Sequence, residues 1–256
     1  MIQAIKAIDM HTHINHGVVG DSDSTPYEVY RADIEYLKKM NEAAGIEKMF
    51  VSSFSSVLST ERIAEENLYM RELSLREPSL YMWVVIDPRF PETIRQADEM
   101  LGRGKCVGIK MHPAYHQYSL ADYYDEITAI ANKHSTRLLI HPEKGGVATM
   151  VRIAKEFPNI QVINPHLGTI SDVDALMECG AHGNMWVDTS GIASSRNAII
   201  EYTVERAGAD RIMFGTDTYA AGFQRGRIEY AMIPESAKEK ILRYNAEELF
   251  ADALNR

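Results

Sequence analysis

The sequence predicts an α/β protein built as a (β/α)8, or TIM, barrel, in which eight parallel strands alternate with helices. Three observations support this fold class. Short and nearly continuous apolar runs recur along the 256 residues, as is typical of strands buried on both faces. Amphipathic segments separate these runs, and glycines stand where the helices should end. No glycine-rich nucleotide loop follows the first run, which disfavours the alternative, a doubly wound open sheet.

Eight runs are predicted to be strands. In chain order they are Lys6–Ile14, Lys48–Phe54, Leu80–Asp87, Cys106–His112, Arg137–His141, Gln161–His166, Met185–Thr189 and Arg211–Thr216. The clearest helices carry the apolar stripes Leu120, Tyr124, Ile127 and Ile130; Ile170, Val173, Leu176 and Met177; and Ile241, Leu242, Leu249 and Phe250. Thr60 and Ser171 carry the signals of a helix N-terminus. Residues 1–256 are predicted to form one domain, because no linker or composition break divides them.

The composition disfavours several classes of protein. A net charge of −9 argues against a nucleic-acid partner, which would require a basic surface. No apolar run approaches the roughly 20 residues that cross a membrane, and no signal peptide is evident. Two cysteines, Cys106 and Cys179, are too few for a disulfide scaffold, so a cytoplasmic protein is expected. The expected partners are a small-molecule substrate, with carboxylates among the candidates, and a second copy in a homodimer.

The first predicted strand ends in the sequence Asp9-Met-His-Thr-His. Residues two apart on a strand face the same side, so His11 and His13 are predicted to point one way together with Asp9. A polar cluster on an otherwise apolar strand is costly unless it is used. Two exposed histidines are the simpler alternative, but the pattern favours a metal site.

The fourth to eighth predicted strands also end in residues that carry chemistry. These residues are Lys110, His112, His141, His166, Asp188 and Asp217. In a (β/α)8 barrel the carboxyl ends of the strands form the active site, so these side chains should meet. Of the nine histidines in the chain, five stand at these ends. Three histidines and an aspartate suit zinc or a similar cation, with one position left open for water.

The sequence resembles the amidohydrolase superfamily, and within it the amidohydrolase-related group of aminocarboxymuconate-semialdehyde decarboxylase and related lactonases. The matching motifs are Asp9-Met-His-Thr-His, Gly108-Ile-Lys-Met-His-Pro, Leu139-Ile-His, Pro165-His-Leu-Gly, Phe214-Gly-Thr-Asp and Ile241-Leu-Arg-Tyr-Asn-Ala-Glu-Glu-Leu-Phe. The resemblance implies that the metal is held by His11, His13, His141 and Asp217, and that His166 lies beside the metal-bound water. TatD-like nucleases share the opening motif but carry a glutamate where this chain has Lys110. Histidinol-phosphatase-like enzymes share it too, but their later metal motifs are not evident.

Lys110 admits two interpretations. In binuclear members of the superfamily a lysine on the fourth strand is carboxylated and bridges two metal ions. The alternative is an ordinary cation that holds a substrate carboxylate or an internal acid. The resemblance favours the second interpretation and a single metal ion, of which zinc is expected first and manganese or iron are alternatives. Asp9 is predicted to support the site structurally, and Asp188 either to orient a ligand histidine or to cap a turn.

The leading prediction is a metal-dependent hydrolase that activates water to cleave a small ester, lactone or amide. Asp217 would take the proton from water and pass it to the leaving group, and His166 would orient the water or stabilise the oxyanion. The first alternative is a non-oxidative decarboxylase of a small unsaturated or aromatic carboxylate, and the second is a non-catalytic metal-binding protein. The predicted substrate-binding residues are Lys110, His112, Tyr115, Arg225 and Arg227.

Overall fold

Eight parallel strands form the barrel of this protein. The structure is a computed structural model that describes residues 5–16, 31–180 and 183–256. The strands lie in chain order, and each one pairs with the next. Backbone hydrogen bonds from Met10 N to Phe214 O and from Thr216 N to His11 O join the first strand to the segment that follows the last one. The sheet therefore curves into a nearly closed barrel, and the predicted fold class is confirmed.

All eight predicted strands are present, with ends that differ from the prediction by a few residues. They are β1 (Ala7–Ile14), β2 (Ile46–Ser53), β3 (Leu80–Val85), β4 (Cys106–Met111), β5 (Arg137–Ile140), β6 (Gln161–Asn164), β7 (Met185–Asp188) and β8 (Ile212–Met213). The α-helices are α1 (Ile34–Ala43), α2 (Phe54–Leu58), α3 (Ile63–Arg76), α4 (Pro91–Met100), α5 (Pro113–His116), α6 (Tyr124–Lys133), α7 (Gly146–Glu156), α8 (Ile170–Cys179), α9 (Ile199–Ala207), α10 (Ala221–Glu229), α11 (Glu235–Glu239), α12 (Asn245–Leu249) and α13 (Ala251–Leu254). Short 3₁₀ turns cover Leu120–Tyr123 and Ala193–Ser195, and one π-helical turn covers Lys240–Tyr244.

Some helix predictions need correction. Helix α3 begins at Ile63 with no side-chain cap, so Thr60 does not cap it. The capping box of α8 is formed by Thr169 and Asp172, two residues before the predicted one at Ser171. The predicted stripe on α8 is only half buried, because Ile170 is 61% exposed and Met177 is 40% exposed.

The C-terminal segment closes the barrel at the end where the strands begin. Side chains of α12, α13 and the residue between them pack against apolar residues inside the barrel. The ring of Phe250 meets Phe50 at 4.8 Å and Trp83 at 5.6 Å between centroids, both edge to face. The guanidinium of Arg137 donates hydrogen bonds to Leu249 O and pairs with Asp252. Apolar packing thus fills the lower half of the barrel, and the polar residues at the strand ends occupy the upper half.

Candidate metal centre

Three of the four predicted metal ligands meet at the upper end of the barrel. One candidate ligand atom from each of His11, His13 and Asp217, together called the metal group, lies within 4.8 Å of the others. His13 Nε2 is 3.1 Å from Asp217 Oδ1, and His11 Nε2 is 3.8 Å from the same oxygen. The two histidines come from β1 and the aspartate from the segment after β8, so the closure of the barrel brings them together.

The second ring nitrogen of each histidine is held from behind. His11 Nδ1 is 2.9 Å from Asp188 Oδ2, and His13 Nδ1 is 3.0 Å from Ser52 Oγ. Such outer partners fix the ring orientation of metal-binding histidines and leave Nε2 for the ion. Asp188 therefore holds the ring of His11, and its Oδ1 also accepts the backbone N–H of Ser190, so the contacts of both predicted roles are present. Asp9 accepts hydrogen bonds from His11 N, Thr216 N and Thr216 Oγ1, so it ties β1 to the segment after β8.

His141, the fourth predicted ligand, lies beside this group without belonging to it in the described residues. Its Nδ1 is 3.2 Å from His166 Nε2, and its ring stacks on that of His112 with centroids 4.1 Å apart. His166 Nδ1 in turn lies 3.9 Å from Asp217 Oδ2. A chain of histidines thus connects the metal group to the side of the barrel formed by β4 to β6.

Lys110 places a buried amine next to the metal group. Its Nζ is 2.9 Å from His11 Nε2, and its side chain is fully buried. Burial lowers the pKa of Lys110 to about 8, although Asp217 and Asp188 act in the opposite direction. A cavity beside this group is lined by other residues and not by Lys110. Direct contact with a substrate, the predicted role of Lys110, would therefore require it to move.

Burial and neighbouring charges fix the ionisation of the group. Burial lowers the pKa of His11 to about 3 and that of His141 to about 2, so both rings are neutral at pH 7. Burial raises the pKa of Asp217, but the hydrogen bond with His13 and the nearby His166 ring outweigh it and hold this pKa well below its usual range. Burial acts in the same way on Asp188, and His11 outweighs it and holds the pKa of Asp188 low. The neutral histidines and ionised carboxylates are the forms that bind a cation.

The backbone is strained at two of these residues. His166 has φ of 62° and Asp217 has φ of 54°, in the left-handed region that non-glycine residues rarely adopt. Hydrogen bonds from Asp217 N to His11 O and from His166 N to Asp188 Oδ1 hold these conformations. Gly191 lies against both side chains with φ of +71°, and a Cβ there would be 3.0 Å from His166 Nδ1 and 3.3 Å from Asp217 Oδ2. Only glycine suits this position.

A cavity of about 300 Å³ opens above the metal group. It is lined by His13, Phe54, Val57, Leu58, His112, Tyr115, His141, His166, Gly191, Ile192, Ala193, Asp217 and Tyr219. Its floor is formed by histidines and Asp217, whereas most of its walls are apolar or aromatic. The predicted substrate-binding residues His112 and Tyr115 both line it, and the Tyr115 backbone N–H donates to His112 Nδ1. A volume at the low end of the range for ligand sites indicates a small substrate.

Two predicted substrate-binding residues lie elsewhere. Arg225 donates hydrogen bonds to the carbonyl groups of Ile5, Ala44 and Gly45, at the end of the barrel where the strands begin. Arg227 pairs with Glu201 of α9. A helix that follows a strand runs back along it, so α10 carries both arginines away from the cavity. Neither arginine lines the cavity, so their positions do not support the predicted role in substrate binding.

Sequence reasoning did not identify Ser52 and Ser190 as parts of the site. Ser190 Oγ lies 3.0 Å from both His11 Nδ1 and His166 Nδ1 and donates a short hydrogen bond to Asp188. Only its position in the sequence could have indicated Ser190, because it stands two residues after Asp188, just past the end of β7. Serine is too common at strand ends for that signal to be specific.

Comparison with known proteins identifies the class of protein. A family model described as Amidohydrolase matches residues 8–251. The chain therefore belongs to the amidohydrolase family. A search of curated protein sequences finds no match to it.

Several solved structures share the fold. A 2,6-dihydroxybenzoate decarboxylase from Rhizobium has a TM-score of 0.78 and 16% identity, covering 96% of this chain and 98% of that one. A dihydroxybenzoic acid decarboxylase from Polaromonas sp. JS666, with bound manganese and the inhibitor 2-nitroresorcinol, has a TM-score of 0.75 and 17% identity, covering 98% and 97%. A Pseudomonas putida protein described as a 2-pyrone-4,6-dicarboxylic acid hydrolase has a TM-score of 0.70 and 16% identity, covering 96% and 98%.

No helix in the described part of the chain has the length and apolar character needed to cross a bilayer.

Proposed function

We propose that this protein is a metal-dependent decarboxylase that removes carbon dioxide from a small aromatic or unsaturated carboxylate. This reaction was the first alternative from the sequence, and it now takes precedence over hydrolysis. The observation that carries the proposal is the contrast between the floor and the walls of the cavity. The floor holds histidines and Asp217, and the walls include Phe54, Val57 and Ile192.

The described residues that line the cavity give a carboxylate no permanent positive charge. Among the described residues that line it, none is a lysine or an arginine. A carboxylate moved from water to apolar surroundings loses favourable hydration, whereas carbon dioxide is neutral and loses little. An apolar wall therefore favours departure of the carboxylate as carbon dioxide. A flat ring also fits between the aromatic side chains of Phe54, Tyr115 and Tyr219.

The donor set fits a divalent cation. His11 and His13 present Nε2 to Asp217, and their Nδ1 atoms are held by Asp188 and Ser52. We propose His11, His13 and Asp217 as ligands and His141 as the fourth after a small rotation of its side chain. A divalent cation bound there would act as a Lewis acid that polarises an oxygen of the substrate. Manganese in the similar Polaromonas decarboxylase makes manganese a candidate beside zinc and iron.

The residues of the chain have separate roles in the proposed reaction. The bond between the ring carbon and the carboxylate breaks, the electron pair stays on the ring carbon, that carbon takes up a proton, and carbon dioxide leaves. We assign the proton transfer to Asp217, because it lines the cavity beside the metal group and can take up a proton from water there. His166, with Nδ1 3.9 Å from Asp217 Oδ2, is proposed to position this carboxylate. His112 accepts a hydrogen bond at Nδ1, so its Nε2 carries the proton that it can donate to a substrate oxygen.

Hydrolysis of a small lactone remains the second candidate function. The likeness to the Pseudomonas putida protein supports it, and so does the placement of Asp217 and His166 at the cavity floor. Both reactions would use the same metal group and the same apolar walls. Both candidates also share a substrate class, small ring compounds that carry a carboxylate.

A product assay separates the two functions. The purified protein, loaded in turn with Mn²⁺, Zn²⁺ and Fe²⁺, is incubated with dihydroxybenzoates, methoxylated hydroxybenzoates and pyrone carboxylates, and both carbon dioxide and ring-opened acid are measured. We expect carbon dioxide from at least one aromatic acid and none from the Asp217→Asn variant. Ring-opened acid without carbon dioxide would establish hydrolysis instead. Tight metal binding without turnover of any compound would support the non-catalytic alternative and contradict both functions.

A further inference from the structure

Ser190 lies at the junction of three groups in the metal centre. Its hydroxyl oxygen contacts Asp188 Oδ1 and lies 3.0 Å from the Nδ1 atoms of both His11 and His166. A hydroxyl group has one proton to donate and two lone pairs that accept. In its three contacts the Ser190 hydroxyl therefore donates one hydrogen bond and accepts two, and the chemistry of the partners decides which partner receives the proton.

The carboxylate decides where the hydroxyl proton goes. Asp188 Oδ1 accepts the backbone N–H of Ser190 at 2.8 Å and that of His166 at 3.2 Å. A backbone N–H can only donate, so this oxygen carries no proton of its own. The Ser190 hydroxyl must therefore donate to it. Both lone pairs of Ser190 Oγ are then left to accept from the two histidines.

The proton positions on the histidines follow. His11 Nδ1 and His166 Nδ1 must each carry a proton, because Ser190 Oγ has none left to offer them. An independent contact agrees for each ring. The Ser190 carbonyl, which can only accept, is 3.3 Å from His166 Nδ1, and Lys110 Nζ, which donates when charged, is 2.9 Å from His11 Nε2. In its neutral form each ring is therefore bare at Nε2.

The same logic extends to His141. His166 Nε2 is bare and lies 3.2 Å from His141 Nδ1, so His141 Nδ1 must carry the proton of that hydrogen bond. His141 Nε2 is then bare as well. The two nitrogens that the metal requires from these rings, Nε2 of His11 and Nε2 of His141, are thus free of protons before an ion arrives.

We infer that Ser190 is a positioning residue that fixes the tautomer of His166 and, through His166, that of His141 in the form that binds metal, while Asp188 Oδ2 holds His11 Nδ1 in the same form. The identity of His11 and His141 as ligands rests on the proposed function, whereas the tautomer pattern does not. No sequence motif assigns this role to Ser190. Its place in the loop after β7 lets one hydroxyl connect a ligand on β1 to two rings at the ends of β5 and β6.

Ring ¹⁵N NMR of the metal-free protein tests the pattern directly. Protonated and bare ring nitrogens have widely separated ¹⁵N shifts, and single histidine replacements assign the signals. At neutral pH we expect Nδ1–H with bare Nε2 for His11, His141 and His166. A wild-type spectrum with Nε2–H at His141 or His166 would overturn the inference without any Ser190 variant.

Variants at Ser190 test the cause. Ser190→Ala should convert His166 and His141 to mixed tautomers and raise the dissociation constant for Mn²⁺ by about tenfold or more, as for other outer partners of ligands. Ser190→Thr keeps the hydroxyl and should retain both the wild-type pattern and an affinity within about threefold of wild type. Ser194→Ala is the matched control, because Ser194 is a buried serine of the same loop that donates to Thr189 O and Gly191 O and contacts no histidine among the described residues.

The outcomes separate this inference from the proposed function. A Ser190→Ala spectrum identical to that of Ser194→Ala would contradict the role of Ser190, and so would weaker Mn²⁺ binding without any change of tautomer. If Ser190→Ala does not fold, a Ser190→Thr variant with altered tautomers would contradict it equally. A wild-type protein with the expected tautomers but no affinity for Mn²⁺, Zn²⁺ or Fe²⁺ would refute the proposed function and leave the role of Ser190 in fixing the tautomers standing.

Discussion

Lys110 brings a positive charge into a group of buried carboxylates. Asp188 and Asp217 are held ionised, and Lys110 lies 2.9 Å from His11 Nε2, the lone pair that a metal ion would use. With Lys110 protonated, the three residues carry a net charge of about −1, and a divalent ion changes this to about +1. The loaded centre would therefore attract an anion, which agrees with a carboxylate substrate. An ammonium group at this position also competes with the ion for His11.

Replacing Lys110 by methionine tests this competition. We expect Lys110→Met to bind Mn²⁺ about tenfold more tightly, because the ammonium no longer donates to His11 Nε2 or repels the ion. Isothermal titration calorimetry measures the affinity and the number of ions per chain. Lys105→Met is the control, since Lys105 bonds to backbone carbonyl groups of Glu77 and Pro78 near the start of the same strand. Two ions per wild-type chain and one in Lys110→Met would instead support the carboxylated, bridging lysine.

Asp217 combines a proposed ligand and a proposed proton donor in one residue. We expect Asp217→Asn to lower kcat by at least about 10²-fold, the usual contribution of a general acid or base, while weaker metal binding remains measurable. Steady-state assays of carbon dioxide release, made at saturating metal, give the comparison. Asp210→Asn serves as the control, because Asp210 is a half-exposed carboxylate that pairs with Lys240. Unchanged turnover in Asp217→Asn would reject the assignment.

At the scale of the elements, Arg227 joins two helices on the outside of the barrel. Arg227 forms two hydrogen bonds with Glu201, whose carboxylate also accepts the backbone N–H of Met232. The pair thus fastens α10 to α9 and to the turn that follows α10. The hydrogen bonds from Arg227 lower the pKa of Glu201 to about 2, against the opposing effect of burial.

This ion pair makes stability depend on pH. A carboxylate with a lowered pKa in the folded state stabilises the fold fully above its unfolded pKa of 4.5, and that stabilisation is lost as the pH falls toward 2. We expect Arg227→Met to cost about 1 to 3 kcal/mol at pH 7, with a smaller difference from wild type at pH 3. Urea unfolding at both pH values measures it. Arg95→Met, at an arginine that is 66% exposed, should have little effect at either pH.

Element positions were predictable, but helix faces and side-chain directions were less so. Strand ends placed His11, His13 and Asp217 together, because parallel strands of a barrel share one active edge. The reach of His141 toward His166 depends on rotamers that spacing does not specify. Arg225 was misassigned because its distance along α10, rather than its closeness to β8 in sequence, decides where its side chain lies. Ser190 became visible only through its three partners.

At the scale of the whole molecule, the barrel has a polar upper half and an apolar lower half. The metal group lies at the upper end, while Phe250 and its neighbours fill the lower end against Phe50 and Trp83. Trp83 also donates from Nε1 to Met10 O, one residue before His11, so the two halves meet at β1. The lower half thus supports the strand that carries two of the proposed ligands.

Removing the ring of Phe250 should therefore destabilise the entire barrel. We expect Phe250→Ala to lower the free energy of unfolding by about 3 to 5 kcal/mol, because a fully buried ring is lost and a cavity remains. Equilibrium urea unfolding monitored by tryptophan fluorescence measures the change. Phe223→Ala removes a ring that is 58% exposed, and its effect should stay below about 1 kcal/mol. Equal losses in the two variants would show that the lower half contributes no special stability.

The packing of α12 and α13 into the barrel also has a consequence for biosynthesis. A ribosome makes residues 246–253 after every strand, yet these residues fill the interior that the strands enclose. While they are still inside the exit tunnel, the nascent barrel exposes Phe50 and Trp83 to water or to chaperones. Native packing of the barrel interior should therefore appear only when residues 246–253 have emerged, in one late step rather than strand by strand.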